Sequence, residues 1–140
     1  TQSRSSAASD VYKRQVAMVV GDRHPLVGSA GIALSELTEH ELIMLSNEYN
    51  SRKMMDGILL ANGIVPRIVM EMNAIEPILA TVRNSTLATI LSANLVDEMP
   101  GLHPIPLTPT VTHSVGLFTR RNSHLSAAAR ALVETIRQRF

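Results

Sequence analysis

The sequence predicts an α/β domain. Short continuous apolar runs, Val16–Val20 and Leu42–Leu45, have the look of strands buried on both faces. Between Leu42–Leu45 and the apolar run Arg67–Met72 lies a segment with helical period. Met54, Met55, Ile58 and Leu59 fall on one side of it, and Gly63 stops it. A helix between two such strands is a βαβ unit, which predicts parallel pairing and a right-handed crossover.

The elements follow in order. Val16–Val20 is the first strand. GDRHPL comes next, with Pro25 holding His24 extended. Val27–Ile32 is a small-residue connector, and Leu34–Leu37 forms a helical turn ended by Ser35 or Thr38. Leu42–Leu45 leads into the polar loop Ser46–Ser51, and the helical pattern starts at Arg52. Arg67–Met72 is the next strand. Asn73–Arg83 is helical, with Ile75, Ile78, Leu79 and Val82 on one face. Asn73 and Glu76 offer a capping box, while Pro77 pushes the helix start toward Glu76. Leu87–Leu91 is a strand, and Ala93–Met99 a short helix ending before Pro100-Gly101. Leu102–Leu107 carries two prolines and is expected as an edge strand or linker. Thr112–Arg120 is a strand. Leu125–Arg139 is a helix capped by Ser123 or Ser126, with its arginine-rich end suited to the helix dipole.

Composition bounds the function. The 140 residues fit one domain or a piece of one. Aromatics are 3% with no Trp, which disfavours a base-stacking surface. There is no cysteine, so disulfides, thiolate metal sites and a thiol nucleophile are excluded, in keeping with a reducing, cytoplasmic setting. No apolar run reaches the roughly 20 residues that cross a bilayer, and no membrane association is expected. Beyond Gln15 the chain holds ten basic and eleven acidic residues, so it lacks the positive field that grips a phosphate backbone. Residues 1–15 lack periodicity and are expected to be a disordered or artefactual head. SSAASDVYKRQ resembles a translated sequencing-adapter remnant, which would place the true protein's truncation near Val16.

The order of these segments carries a resemblance. DRHPL, then ALSEL, then a buried strand with a polar loop and Arg52, then NGIVPRIVMEMNAIEPILATVRNSTLATILS, LHPIPL and a closing R-x-x-x-x-L-S-x-A-A-x-A resemble LysR-type transcriptional regulators. The match is to their effector-binding region, and most to cyanate-regulator-like members. It covers Val16–Phe140. Ser85, Thr86 and Leu87 stand where many members have a Gly-x-Gly turn, and Ser92 where they have Pro.

The resemblance implies a type II periplasmic-binding-protein-like α/β fold with one complete subdomain and part of a second. Residues 25–102 would be the second effector subdomain. Residues 16–24 and 103–140 would supply part of the first, with crossover strands. A small, anionic effector would modulate transcription by moving the subdomains. DNA would be bound only through an N-terminal domain absent from this sequence, and the full protein would be a homodimer or tetramer. A solute-binding protein of a transport system shares the architecture and is the competing reading.

The effector-binding candidates are Ser46, Asn47, Ser51 and Arg52, where hydroxyls and backbone N–H groups gather at a helix start. Ser51 also suits an ordinary N-cap, and Arg52 a solvated surface. A second polar cluster is Asn84, Ser85 and Thr86. The resemblance lays it across the cleft floor, sharing a hollow with Ser46; ordinary turn chemistry explains it equally. His24, His40, His103, His113 and His124 have no metal-ligand spacing. There is no G-x-S-x-G elbow and no glycine-rich phosphate loop. No cofactor, metal or enzymatic activity is expected.

Overall fold

The computed structural model describes residues 7–119 and 124–139. The chain divides into two units, one of Gln15–Thr112 and a smaller one from Thr1–Arg14 and His113–Phe140.

The larger unit is a twisted sheet with a helix on each face. Its strands are β1 (Ala7–Gly21, which begins in the smaller unit), β2 (Ile32–Ala33), β3 (Glu41–Leu45), β4 (Arg67–Met72), β5 (Ala88–Ser92) and β6 (Leu102–Thr108). They lie in the order β2-β6-β1-β5-β3-β4. β3 pairs parallel with both β4 and β5, as the βαβ pattern predicts, while β1 runs antiparallel between β5 and β6. Thus Val16–Gly21 and Leu102–Thr108 are ladder members of this sheet.

Side-chain alternation in the strands feeds two cores. On one face Met18, Val20, Leu42, Met44 and Ile90 pack with Met55 and Leu59 of α1 (Asn50–Ala61). On the other, Val19, Ile43, Leu45 and Leu91 pack with Ile78, Leu79 and Val82 of α2 (Ile75–Arg83). Fully burying a Leu or Ile contributes about 1.5–3 kcal/mol. The unbroken apolar runs of β1 and β3 follow from this two-sided burial. The hydroxyl of Thr89 on β5 is buried and has no hydrogen-bond partner among the described residues.

Several details differ from expectation. β1 begins at Ala7, inside the segment read as an unordered head. α1 begins at Asn50; Tyr49 is its N-cap and gives no side-chain cap, so Ser51 lies within the helix. α2 begins at Ile75 after Ala74, so the Asn73–Glu76 capping box does not form. Ala93–Leu95 is a single 3-10 turn instead of a longer helix. β6 is flanked on both sides, although β2 covers only Leu107 and Thr108. Pro104 and Pro106 face Val19 and Ala17 in the β1 ladder. Two residues apart, they are tolerated at non-hydrogen-bonded positions, where the missing N–H points away from β1. Gly63, with φ of 67°, ends α1: its N–H donates to the Leu60 carbonyl and that of Ile64 to the Leu59 carbonyl.

In the smaller unit, β7 (Thr112–Thr119, its first residue still in the larger unit) pairs with β1, and α3 (Ala127–Arg139) follows. The Ser126 hydroxyl accepts from the Ala129 N–H at 3.1 Å, the expected cap. Ser123, the other candidate, lies outside the described residues. Leu132 and Phe118 are left exposed.

Candidate functional site

The site is built at the C-terminal end of β3. The chain leaves β3 toward β4 by way of α1, and leaves β5 toward β6 on the other side of β1. Neighbouring parallel strands whose connections part in this way open a crevice beyond their C-terminal ends, where open α/β sheets bind ligands.

Ser46 is the first residue after β3. Its N–H donates to the Met72 carbonyl at 3.0 Å, and its carbonyl accepts from the Tyr49 N–H at 3.2 Å. Its hydroxyl is buried and has no partner among the described residues. Asn47 is exposed on the loop. The Tyr49 hydroxyl donates to the Asn73 carbonyl and ties the loop to the end of β4. The first intrahelical bond of α1 runs from the Lys53 N–H to the Tyr49 carbonyl, so the N–H groups of Asn50, Ser51 and Arg52 precede the helical ladder. They give the helix start its partial positive charge.

Arg52 turns inward from this lip. It is 8% exposed. Its Nε donates to both Asp56 carboxylate oxygens at 2.8 and 3.0 Å. Its Nη1 donates to the Leu45 carbonyl at 2.7 Å and to Glu71 at 2.7 Å. Burial alone would lower its proton affinity, but the hydrogen bonds and charges of Asp56 and Glu71 outweigh that and hold the pKa above the ordinary arginine value.

Asn84, Ser85 and Thr86 lie elsewhere. They precede β5, whereas Ser46 follows β3, and the two strands are parallel. The clusters therefore sit at opposite ends of the sheet, which corrects the expectation of one shared hollow. The Asn84 and Ser85 side chains are also satisfied locally. The Asn84 side chain donates to the Ala80 carbonyl at 2.9 Å. The Ser85 hydroxyl donates to the Thr81 carbonyl at 2.7 Å and accepts from the Leu87 N–H at 3.1 Å. This is the closing chemistry of α2.

On the neighbouring strand, the residue that register sets beside Ser46 is Ser92. Leu42 is in register with Ala88. Carried forward along the two strands, that register sets Ser46 level with Ser92, the last residue of β5. Neighbouring strands lie about 4.8 Å apart. The sequence marked Ser92 only as a departure from a family proline; its polarity at a strand's C-terminal end was the usable signal.

Among the described residues, no three His, Asp or Glu side chains gather as a metal site. No helix among them is long and apolar enough to cross a membrane. A cavity of about 250 Å³ in the smaller unit is lined by Thr119, Leu125, Arg130, Val133, Glu134 and Arg137.

Comparison with known proteins agrees with this architecture. The LysR substrate binding domain model matches residues 2–140. A probable RuBisCO transcriptional regulator of Cyanophora paradoxa is 27% identical over 133 residues, covering 90% of this chain and 41% of that protein. The chain thus spans less than half the length of this relative. The regulatory domain of Synechocystis PCC6803 CcmR, solved in complex with 2-PG, superposes with a TM-score of 0.81 at 13% identity, over 97% of this chain and 67% of that one. The effector-binding domain of QuiR, in complex with shikimate, gives 0.76 at 18% identity, over 92% and 62%. The reduced OxyR regulatory domain from Pseudomonas aeruginosa gives 0.76 at 17%, over 99% and 68%. These likenesses establish the type II periplasmic-binding-protein-like fold, and the match along nearly the whole chain establishes that it belongs to the LysR substrate-binding domain family.

Proposed function

We propose that this chain is the effector-sensing region of a transcriptional regulator, and that its share of the effector site is the lip from Ser46 to Ser51. The observation that carries this reading is the Ser46 hydroxyl, buried without a partner among the described residues at the C-terminal end of a central strand. An unmet buried hydroxyl costs about 1–3 kcal/mol. A small ligand with acceptor atoms would supply its partner, joined by the Asn47 amide and the N–H groups that open α1. Ser92, level with Ser46, borders the same crevice. Binding here needs no covalent chemistry. Closure of two subdomains around the ligand would shift the population of a DNA-bound oligomer in the full-length protein. DNA contact would come through a separate domain, and assembly would be a homodimer or tetramer.

Calorimetric titration of a full-length version with cyanate, acetate, shikimate and 2-PG tests the site. At least one should bind, and Ser46→Ala should weaken it about tenfold while leaving unfolding unchanged or slightly later. Undiminished binding in Ser46→Ala would remove that hydroxyl from the site.

A further inference from the structure

We propose that Arg52 is the positioning residue of the lip: it locks the first turn of α1 to the ends of β3 and β4 and does not contact the effector. The inference rests on the lip being the effector site, but its structural part stands by itself.

Three elements meet on this one guanidinium. Leu45, whose carbonyl it holds, ends β3 and immediately precedes Ser46. Glu71 belongs to β4, opposite Met44 in the ladder. Asp56 lies one turn further along α1. The bond to Leu45 therefore fixes the peptide that sets the direction of Ser46. The bonds to Asp56 and Glu71 fix the angle at which α1 rises from it. A planar guanidinium serves three acceptors in fixed directions, which a single ammonium does not.

The charge pattern points the same way. One cation faces two carboxylates, so the cluster as a whole carries no positive charge to offer an anion. Attraction for an anionic effector is left to the N–H groups and hydroxyls that Arg52 holds in place.

Amide hydrogen exchange on the 140-residue chain tests the lock. In Arg52→Met, the hydrogen-bonded amides of Ser46, Tyr49 and Lys53 should exchange at least about tenfold faster, while those of Val16–Val20 and Leu91 stay unchanged. Arg52→Lys should recover only part of the protection. Glu71→Gln, a milder change should Arg52→Met fail to fold, should loosen the same amides to a smaller degree. Unchanged exchange at the lip, or equal acceleration in the core strands, would overturn the lock.

Cyanate and acetate titrated into full-length variants test the consequence. For whichever probe binds the parent, Glu71→Gln and Arg52→Met should both weaken binding, and the double variant should be no worse than Arg52→Met. Binding lost in Arg52→Met with lip exchange unchanged would make Arg52 a contact residue and overturn the proposal. If neither probe binds the parent, the choice of probes or the reading of the lip fails, and the exchange result still decides the lock.

Discussion

Val19 and Thr89 are partners across the antiparallel ladder of β1 and β5, and both are fully buried. Val19 belongs to the core beneath α2, while the Thr89 hydroxyl beside it has no hydrogen-bond partner among the described residues. A buried hydroxyl in that position loses its water without recompense. Thr89→Val keeps the branched shape and removes the oxygen. It should stabilise the domain by about 1 kcal/mol in urea unfolding. Equal or lower stability would mean that the hydroxyl has a partner, such as an internal water.

The backbone makes an equally sharp demand at Gly21. A Cβ added there would lie 2.3 Å from the Val82 carbonyl oxygen, at the C-terminal end of α2. Backbone has to move to accept it, so Gly21→Ala should cost about 1–3 kcal/mol. Gly57 is the control. It lies within α1, and a Cβ there meets nothing within 4 Å. Gly57→Ala should gain roughly 0.5–1 kcal/mol from helix propensity. Chemical denaturation of the two variants should move in opposite directions.

These relations show what the sequence carries and what it does not. β3, the loop after it and α1 were legible because two-sided burial demands an unbroken apolar run and one-sided burial demands a 3.6-residue period. β1 was read only from Val16 because residues 7–15 lack apolar patterning. The site was half legible. A polar turn looks alike before and after a strand, so Ser85 seemed to belong with Ser46, although strand direction separates them. Register with Ser92 is a long-range fact that no local pattern holds. The same is true of Arg52: its charge is visible in the sequence, but Glu71 as its partner appears only when β4 lies against β3.

His24 gives the fold a pH dependence. It is 4% exposed, its Nδ1 accepts from the Leu26 N–H at 3.1 Å, and its ring lies 5.2 Å from that of His40. Burial first, and His40 second, hold its pKa below the ordinary value of 6.5. The unfolded chain therefore takes up a proton at a higher pH than the folded one. Stability is fully present above pH 6.5 and is lost as pH falls from there toward the depressed folded pKa, by at most about 1.4 kcal/mol per pH unit. His24→Asn should flatten the stability profile in this window, measured by urea midpoints from pH 7.5 downward. An unchanged slope would assign the acid sensitivity to other groups.

The smaller unit exposes apolar surface that its own elements do not cover. Phe118 on β7 is 68% exposed and Leu132 on α3 is 61% exposed, with Val115 also open. Apolar area left in water costs about 25 cal/mol per Å², a cost that contact between copies relieves. The 140-residue chain should therefore associate as its concentration rises. Phe118→Ser with Leu132→Gln removes the two largest contributions at side chains that pack against little, so each should change stability by no more than about 0.5 kcal/mol. Light scattering across a concentration series should show the parent growing in mean mass and the double variant growing less. Identical growth in both would shift the cause to the sheet edge at β4, where Val69 and Met70 are also exposed.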